Sequence, residues 1–296
     1  MVEYLRHLNH ILINGEDRED RTGVGTKSIF GLQMRFDLRK EFPAVTTKRL
    51  AWRAVVSELI WFLEGSGDER RLAEILHGTR DTDKKTIWTA NAEADYWKSK
   101  AKFDGDLGRV YGVQWRNWHT PVTLEKKQFK GIEYTQFNNS VDQVTKLISD
   151  IKRDPTSRRH ILTAWNPGEL DDMALPPCHV MSQFYVNNGE LSCQMYQRSA
   201  DMFLGVPFNI ASYSLLTHMI AHACDLKVGD FVHTIGDAHI YNDHIDQVHE
   251  QIKRDPLPEP KLIIDCDSKD IFDIKMEHIN LINYQSHPPI SAPMAV

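Results

Sequence analysis

A cysteine follows two prolines and precedes a histidine at Pro176-Pro177-Cys178-His179, which stiffens the backbone on one side of a thiol and sets an ionisable ring on the other. Gln197, Arg198 and Ser199 come further along, then Asp201 and Asn209, so amide, cation, hydroxyl and carboxylate crowd into an otherwise apolar stretch. That density of polar side chains marks a site, with Cys178 as its candidate nucleophile. A model thiol is only a few per cent ionised at neutral pH, so the nucleophile needs positive charge beside it, and Arg198 is the candidate. His179 is the next residue of a strand and points elsewhere, which suits a hydrogen-bonding partner better than a base. Cys193, Cys224 and Cys266 sit inside apolar patterns and read as small buried hydrophobes.

Arginines gather around the same theme. Arg21 stands in a Gly-rich turn, Arg158-Arg159 follow a helix stop, and Arg198 precedes a serine. This is what a phosphate monoester dianion requires, since each charge-assisted hydrogen bond contributes ~1.5–3 kcal/mol. Gly23-Val24-Gly25 lacks a third glycine and a following lysine, so neither a dinucleotide fingerprint nor a P-loop is expected. His233, His239 and His244 have no acidic third ligand at a matching spacing, and no metal site is expected. His239 and Tyr241 lie two apart, on one face of a strand, and read as a hydrogen-bonding pair.

The elements that must hold these residues can be read in outline. Residues 3–13 form an amphipathic helix stopped at Asn14-Gly15, and 20–37 run from the Gly-rich turn into an alternating strand. Residues 50–64 are apolar nearly all round and predict a buried helix carrying Glu58, a carboxylate that must be neutral, partnered or open to a cavity. Three charged and polar stretches, near 66–86, 92–104 and 117–140, read as surface insertions, the last as a hairpin with Lys130-Gly131 at its tip. A helix is expected over 141–152, ended by Asp154-Pro155, and a strand over 159–165. Runs at 182–186 and 191–198 form a hairpin across Asn187-Asn188-Gly189-Glu190. A second buried helix covers 208–224, and a strand covers 233–241.

One α+β domain over the full 296 residues is the expected architecture, with a mixed or antiparallel sheet covered by buried helices. A net charge of -6 offers no argument for nucleic acid or a membrane surface. MVEYLRHLNH lacks a secretory core, and no apolar run reaches the length of a membrane span, so a cytoplasmic protein is expected. The four cysteines show no CxxC spacing, and no disulfide framework is expected.

Several long motifs carry a resemblance: DRTGVGT at 20–26, FPAVTTKR at 42–49, ELIWFLEG at 58–65, DLGRVYGVQWR at 106–116, DPTSRR at 154–159, MALPPCH at 173–179, QRSADMFLGVPFNIASY at 197–213 and GDAHIY at 236–241. In this order they closely resemble the thymidylate synthase family. The resemblance runs from the N-terminus to APMAV. It implies a homodimeric one-carbon transferase acting on dUMP with 5,10-methylenetetrahydrofolate as co-substrate.

Carried over position by position, it implies that Cys178 attacks carbon 6 of the uracil ring, with Glu58, Tyr111 and His179 completing the catalytic set. Glu58 would serve a proton-transfer network of waters, and Tyr111 the removal of the proton from carbon 5. Arg21, Gln197, Arg198 and Ser199 would hold the nucleotide on the phosphate side, joined by Arg158 and Arg159 of a second subunit. Asn209 would read the pyrimidine edge, since an amide both donates and accepts there. His239 and Tyr241 would bind the ribose. Trp88, Asn91, Asp201, Gly205 and Phe208 would line the folate site, and Ala295 with Val296 would close over it.

Two positions depart from the family's pattern. Thr89 follows Ile87-Trp88 where the family usually has aspartate, and Arg109 stands in DLG-x-VYG where it usually has proline. Both are expected to flank the folate side of the cavity. The synthases return a hydride from the folate to give dTMP, whereas phage dUMP hydroxymethylases let water capture the methylene and give the 5-hydroxymethyl nucleotide. Excluding that water is the work of packing and closure. The dTMP product is the leading expectation, with the hydroxymethyl product as the alternative. VTTKRLAWRA and the C-terminal SHPPI and MAV segments resemble phage-encoded members, for which the compartment would be the host cytoplasm.

Overall fold

The computed structural model describes residues 1–129 and 132–294. Helix α1 (Val2–Asn14) buries Tyr4, Leu8 and Ile11, which recur at helical spacing, and it ends at Gly15. A short strand β1 (Glu16–Arg18) leads into the Gly-rich turn and then β2 (Thr26–Asp37). Asp20 builds the turn, its carboxylate accepting from the Thr22 amide at 2.9 Å and the Gly25 amide at 2.8 Å. Gly23 and Gly25 adopt φ of 75° and 78°, which only glycine enters without cost.

Helix α2 (Trp52–Glu64) is buried along most of its length and stops at Gly65, in the left-handed conformation. The segment over 66–86 is not the polar excursion that its composition suggests. Within it α3 (Glu69–His77) packs against α2 and buries Leu72 and Ala73 together with the side chains of Glu69 and Arg70. Two short helices follow, α4 (Thr89–Ala92) and α5 (Asp95–Lys98), and Trp97 is buried with its indole donating to the Asp106 carbonyl at 2.6 Å. The stretch over 92–104 is therefore partly inside as well. Helix α6 (Gly112–Arg116) then runs into an antiparallel pair, β3 (Trp118–Phe129) and β4 (Ile132–Val141). This agrees with the hairpin expected over 117–140; Lys130 and Gly131, its expected tip, lie outside the described residues.

Helix α7 (Gln143–Arg153) is capped by the Asp142 carboxylate, which accepts from the Thr145 amide. Strand β5 (Ile161–Thr163) precedes β6 (His179–Asn187) and β7 (Glu190–Asp201). Asn188 and Gly189 join these last two with φ of 51° and 74°, the left-handed pair of a tight hairpin. Helix α8 (Gly205–Ala223) begins a little before the expected 208, and β8 (Lys227–Tyr241) begins well before 233. Gly229 and Gly236 inside β8 read as turn signals in isolation, yet they sit against Ser192 and the Arg198 carbonyl, where a side chain would collide. Helix α9 (Ile245–Ile252) and the pair β9 (Lys261–Ile264) and β10 (Ile279–Ile282) complete the chain, too short or too irregular for their patterns to announce them.

The main sheet has the order β1-β2-β8-β7-β6-β5, and it is mixed because β7 and β8 run parallel while the other neighbours are antiparallel. Helix α8 is the crossover between the parallel pair and lies on them, with α2 packed across it. The architecture is thus the α+β one expected. Register does the rest of the positioning. His179 opposes Gln197, Asp201 opposes His239 and Tyr241 opposes Thr26, so Cys178, the end of β7, the end of β8 and the Arg21 turn all meet along the edge formed by the strand ends.

Candidate functional site

Two cavities open at that edge. A polar one of about 520 Å³ is lined by Arg21, Asn91, Cys178, Arg198, Ser199, His239 and Tyr241, with Arg18, Asp20 and Asp237 among its other walls. An apolar one of about 540 Å³ is lined by Glu58, Asp201, Gly205, Phe208 and Asn209, with Leu72, Leu76, Thr86 and Leu204 completing it. Ile87 and Met294 line both, so the two form one bipartite site with a shared waist.

Cys178 sits at the mouth of β6, its backbone amide donating to the Tyr111 hydroxyl at 2.8 Å. Burial pushes its thiol up, opposed by the Arg198 guanidinium and then by Tyr111. Arg198 is not free to swing. Its Nε and Nη2 donate to the carbonyls of Pro177 and Pro176 at 3.0 and 2.9 Å, which is how the two prolines fix the cation beside the thiol. Tyr111 itself has φ of 27°, an expensive conformation for a tyrosine, and its ring stacks on Phe62 at 4.9 Å.

Glu58 opens onto the apolar cavity and is enclosed elsewhere. Burial raises its carboxyl to about 7, against the hydrogen bond that the Trp88 indole N–H donates to it at 2.7 Å. A group that titrates near neutrality and faces a cavity can give and take a proton there. His179 is buried against Tyr111 and Tyr213, and burial lowers it to about 4 although the Asn209 amide favours its charged form. It is a neutral ring at working pH, which fits a hydrogen-bonding partner rather than a base.

The remaining residues divide between the two halves, except Gln197, which lines neither. Gln197 is buried and faces inward, bonding the Ser199 carbonyl at 2.9 Å and His233 at 2.9 Å. His239 lies 3.2 Å from Asp237, whose carboxyl is held low by His239 first and also by Ser28 and Arg18. Burial raises the Tyr241 hydroxyl to about 12, so it is a neutral donor and acceptor. The Asp201 carboxylate accepts from the amides of Phe203 and Leu204 at 2.9 and 3.0 Å while keeping an edge in the apolar cavity. His244 is bonded to the Pro293 carbonyl at 2.7 Å, and its ring packs on Tyr241 at 5.5 Å.

Some expected residues stand elsewhere. Asn91 lines the polar half rather than the apolar one, and Trp88 stands behind Glu58 rather than in the described lining of either. Arg158 and Arg159 are exposed on the loop before β5 and reach neither cavity. Thr89 and Arg109, expected to flank the cavity, line neither half of it. Thr89 is buried against Glu69, and Arg109 is held away by Glu169 at 2.6 Å and by the Asn117 carbonyl. Ala295 lies outside the described residues. Sequence reasoning missed Leu72, Leu76, Thr86, Ile87 and Met294. Only the apolar i, i+4 pair within α3 signalled that its charged neighbours conceal a buried face.

A family model described as Thymidylate synthase matches residues 2–296 of this chain, essentially its whole length.

Proposed function

The chain belongs to the thymidylate synthase family and is a one-carbon transferase, and on that premise we propose that it converts dUMP to dTMP using 5,10-methylenetetrahydrofolate. The observation that carries this reading is the place of Cys178: beside a fixed cation, at the polar half of a cavity whose other half is apolar and holds a carboxyl that titrates near 7.

The phosphate meets Arg21, Arg198 and Ser199, and the ribose meets His239 and Tyr241. Asn209 donates to and accepts from the uracil edge, steadied by His179. Cys178 as thiolate adds to carbon 6, forming a C–S bond, and the displaced electron pair makes carbon 5 nucleophilic toward the methylene. Tyr111 then assists removal of the carbon 5 proton as the methylene's bond to the folate nitrogen breaks. Hydride addition to the exocyclic methylene so formed returns the electron pair that restores the ring double bond and expels the Cys178 thiolate as the C–S bond breaks. Leu72, Leu76, Leu204 and Phe208, with the Asp201 carboxylate, fit a flat heteroaromatic ring that has donors at one edge. The folate supplies the methylene carbon and, for dTMP, the hydride that reduces it. Glu58 exchanges protons at the boundary of the two halves.

A second reading has its own observation. The Glu58 carboxyl opens on the apolar half, where it can hold a water. Water held there would capture the methylene and give 5-hydroxymethyl-dUMP. Product mass and the appearance of dihydrofolate separate the two. A product heavier than dUMP by a hydroxymethyl group, with no dihydrofolate formed, replaces the synthase reading by the hydroxymethylase one. For both, 5-fluoro-dUMP is expected to form a covalent adduct with the native enzyme and none with Cys178→Ala; an adduct retained in the variant refutes Cys178 as nucleophile.

The site is completed by a second copy. Ile161, Tyr185 and Tyr196 are exposed on the outer face of the sheet, where cross-strand pairing of Ile161 with Gln183 and of Gln183 with Gln194 makes one continuous surface. Arg158 and Arg159 stand next to that face, ready to reach the phosphate of a facing subunit.

A further inference from the structure

Behind the wall of the apolar cavity lies a buried carboxylate that the reaction does not use. Glu69, 1% exposed, opens α3. Its Oε1 accepts from the hydroxyls of both Thr86 and Thr89, each at 2.6 Å. Arg70 neutralises it, donating Nε to Oε2 and Nη2 to Oε1 at 2.6 Å each. The same guanidinium grips the carbonyls of Asp81 at 2.7 Å and Lys84 at 3.1 Å. One charge pair on a helix therefore holds both ends of the loop that returns to the cavity.

The two hydroxyls pass this constraint on. Thr89 Oγ1 accepts from the Thr86 amide at 2.8 Å, and Thr86 Oγ1 accepts from the Trp88 amide at 3.2 Å. Each threonine thus donates to Glu69 and accepts from the backbone, so the turn over 86–89 closes on itself around the carboxylate. That turn presents Ile87 to the shared waist and directs the Trp88 indole to Glu58 at 2.7 Å. A buried network with every partner satisfied is rigid, and a rigid backbone aims the side chains it carries.

We propose that Glu69 is a positioning residue for the one-carbon transfer: through Thr86 and Thr89 it fixes the turn that carries Trp88, and so holds the indole N–H against the Glu58 carboxyl. Thr89 is then the joint through which a carboxylate on α3 controls the proton-transfer group of the site. The inference rests on the proposed role of Glu58, and it is tested apart from catalysis.

The infrared carboxyl band that disappears in Glu58→Gln reports the ionisation of Glu58 in the enzyme without substrate. Tyr111 and Tyr213 face Glu58 from neighbouring elements, and burial keeps both neutral well beyond the range of the titration, while the Asp201 carboxylate shares its cavity. In the native enzyme the band is expected to titrate near 7. In Thr89→Val, which keeps the shape and removes the donor, the midpoint is expected to rise by about one pH unit, since a hydrogen bond to the charged form is lost. Thr89→Ser is expected to restore it. If Thr89→Val does not fold, Thr89→Ala gives the same readout with a smaller side chain. A midpoint unmoved in the valine or alanine variant overturns the proposal, as does a serine variant that behaves like valine.

Turnover supplies the second arm. Thr89→Val is expected to lower kcat by about tenfold, with the KM for dUMP unchanged because Arg21, Arg198, Ser199, His239 and Tyr241, which hold the phosphate and ribose, stand on other elements. An equal loss carried by KM for dUMP overturns the positioning role. A shifted band in an enzyme that forms no product from dUMP and methylenetetrahydrofolate leaves the Glu69 coupling standing and overturns the proposed reaction instead.

Discussion

Glu58 carries a stability signature as well as a chemical one. Its carboxyl titrates at about 7 in the folded protein against an ordinary 4.5, because burial disfavours the charge more than the Trp88 N–H repays it. Between those values the folded protein keeps a proton that the unfolded chain has released. The contribution to stability is therefore fully present below about 4.5 and is lost as pH rises through about 7, a change on the order of 3 kcal/mol. Glu58→Gln removes that penalty along with the proton transfer. We expect the variant to be inactive yet to melt above the native protein at pH 8, with the difference shrinking at pH 5. Thermal denaturation at the two pH values checks this, and a gap that does not change with pH contradicts it. At this scale the sequence was informative about Cys178, whose flanking prolines are a local feature. It was uninformative about how Arg198 is held, because that depends on main-chain carbonyls across a hairpin.

Helices α2 and α6 meet at a place where no side chain fits. A Cβ on Gly112 would stand 2.3 Å from the Phe62 carbonyl oxygen and 2.5 Å from its Cα, both backbone atoms that cannot turn aside. Gly112→Ala is expected to push α6 off α2 and take the adjoining Tyr111 away from Cys178. The cost is roughly 1–3 kcal/mol, read as a lowered denaturation midpoint with a larger loss of kcat than of folded protein. Full activity in a stable alanine variant would show that the close approach does not position Tyr111. Elements whose signals are local were legible: the Asn188-Gly189 hairpin, the capped α7 and the apolar α2. Helix α3 was hidden because its buried face includes Glu69 and Arg70, which are tolerable inside only as a pair that the sequence does not reveal. Arg109 misled for a related reason. Its neighbours in sequence belong to the site, but its guanidinium answers to Glu169, a partner far along the chain.

For the whole molecule, the exposed pair Arg158 and Arg159 beside the outer sheet face gives a test of assembly. Cys178→Ala and Arg158→Ala/Arg159→Ala are each expected to be inactive or nearly so. Mixed and allowed to exchange subunits, they are expected to regain activity, because one site of each mixed dimer receives an intact cysteine from one chain and intact arginines from the other. No recovery, with sedimentation showing that exchange took place, would place those arginines outside the site. The strand order adds a consequence of another kind. β2 is hydrogen-bonded along its length to β8, so Thr26 pairs with Tyr241 and Asp37 with Asp230. A chain emerging from the ribosome completes β2 early and must wait for β8, which begins only at Lys227, before that edge is covered. Loop closure over such a span is slow, and an uncovered strand edge invites wrong pairing meanwhile. The Arg21 turn and Cys178 thus come together only in the last stage of folding, and an incomplete chain cannot hold a reactive thiol in working order.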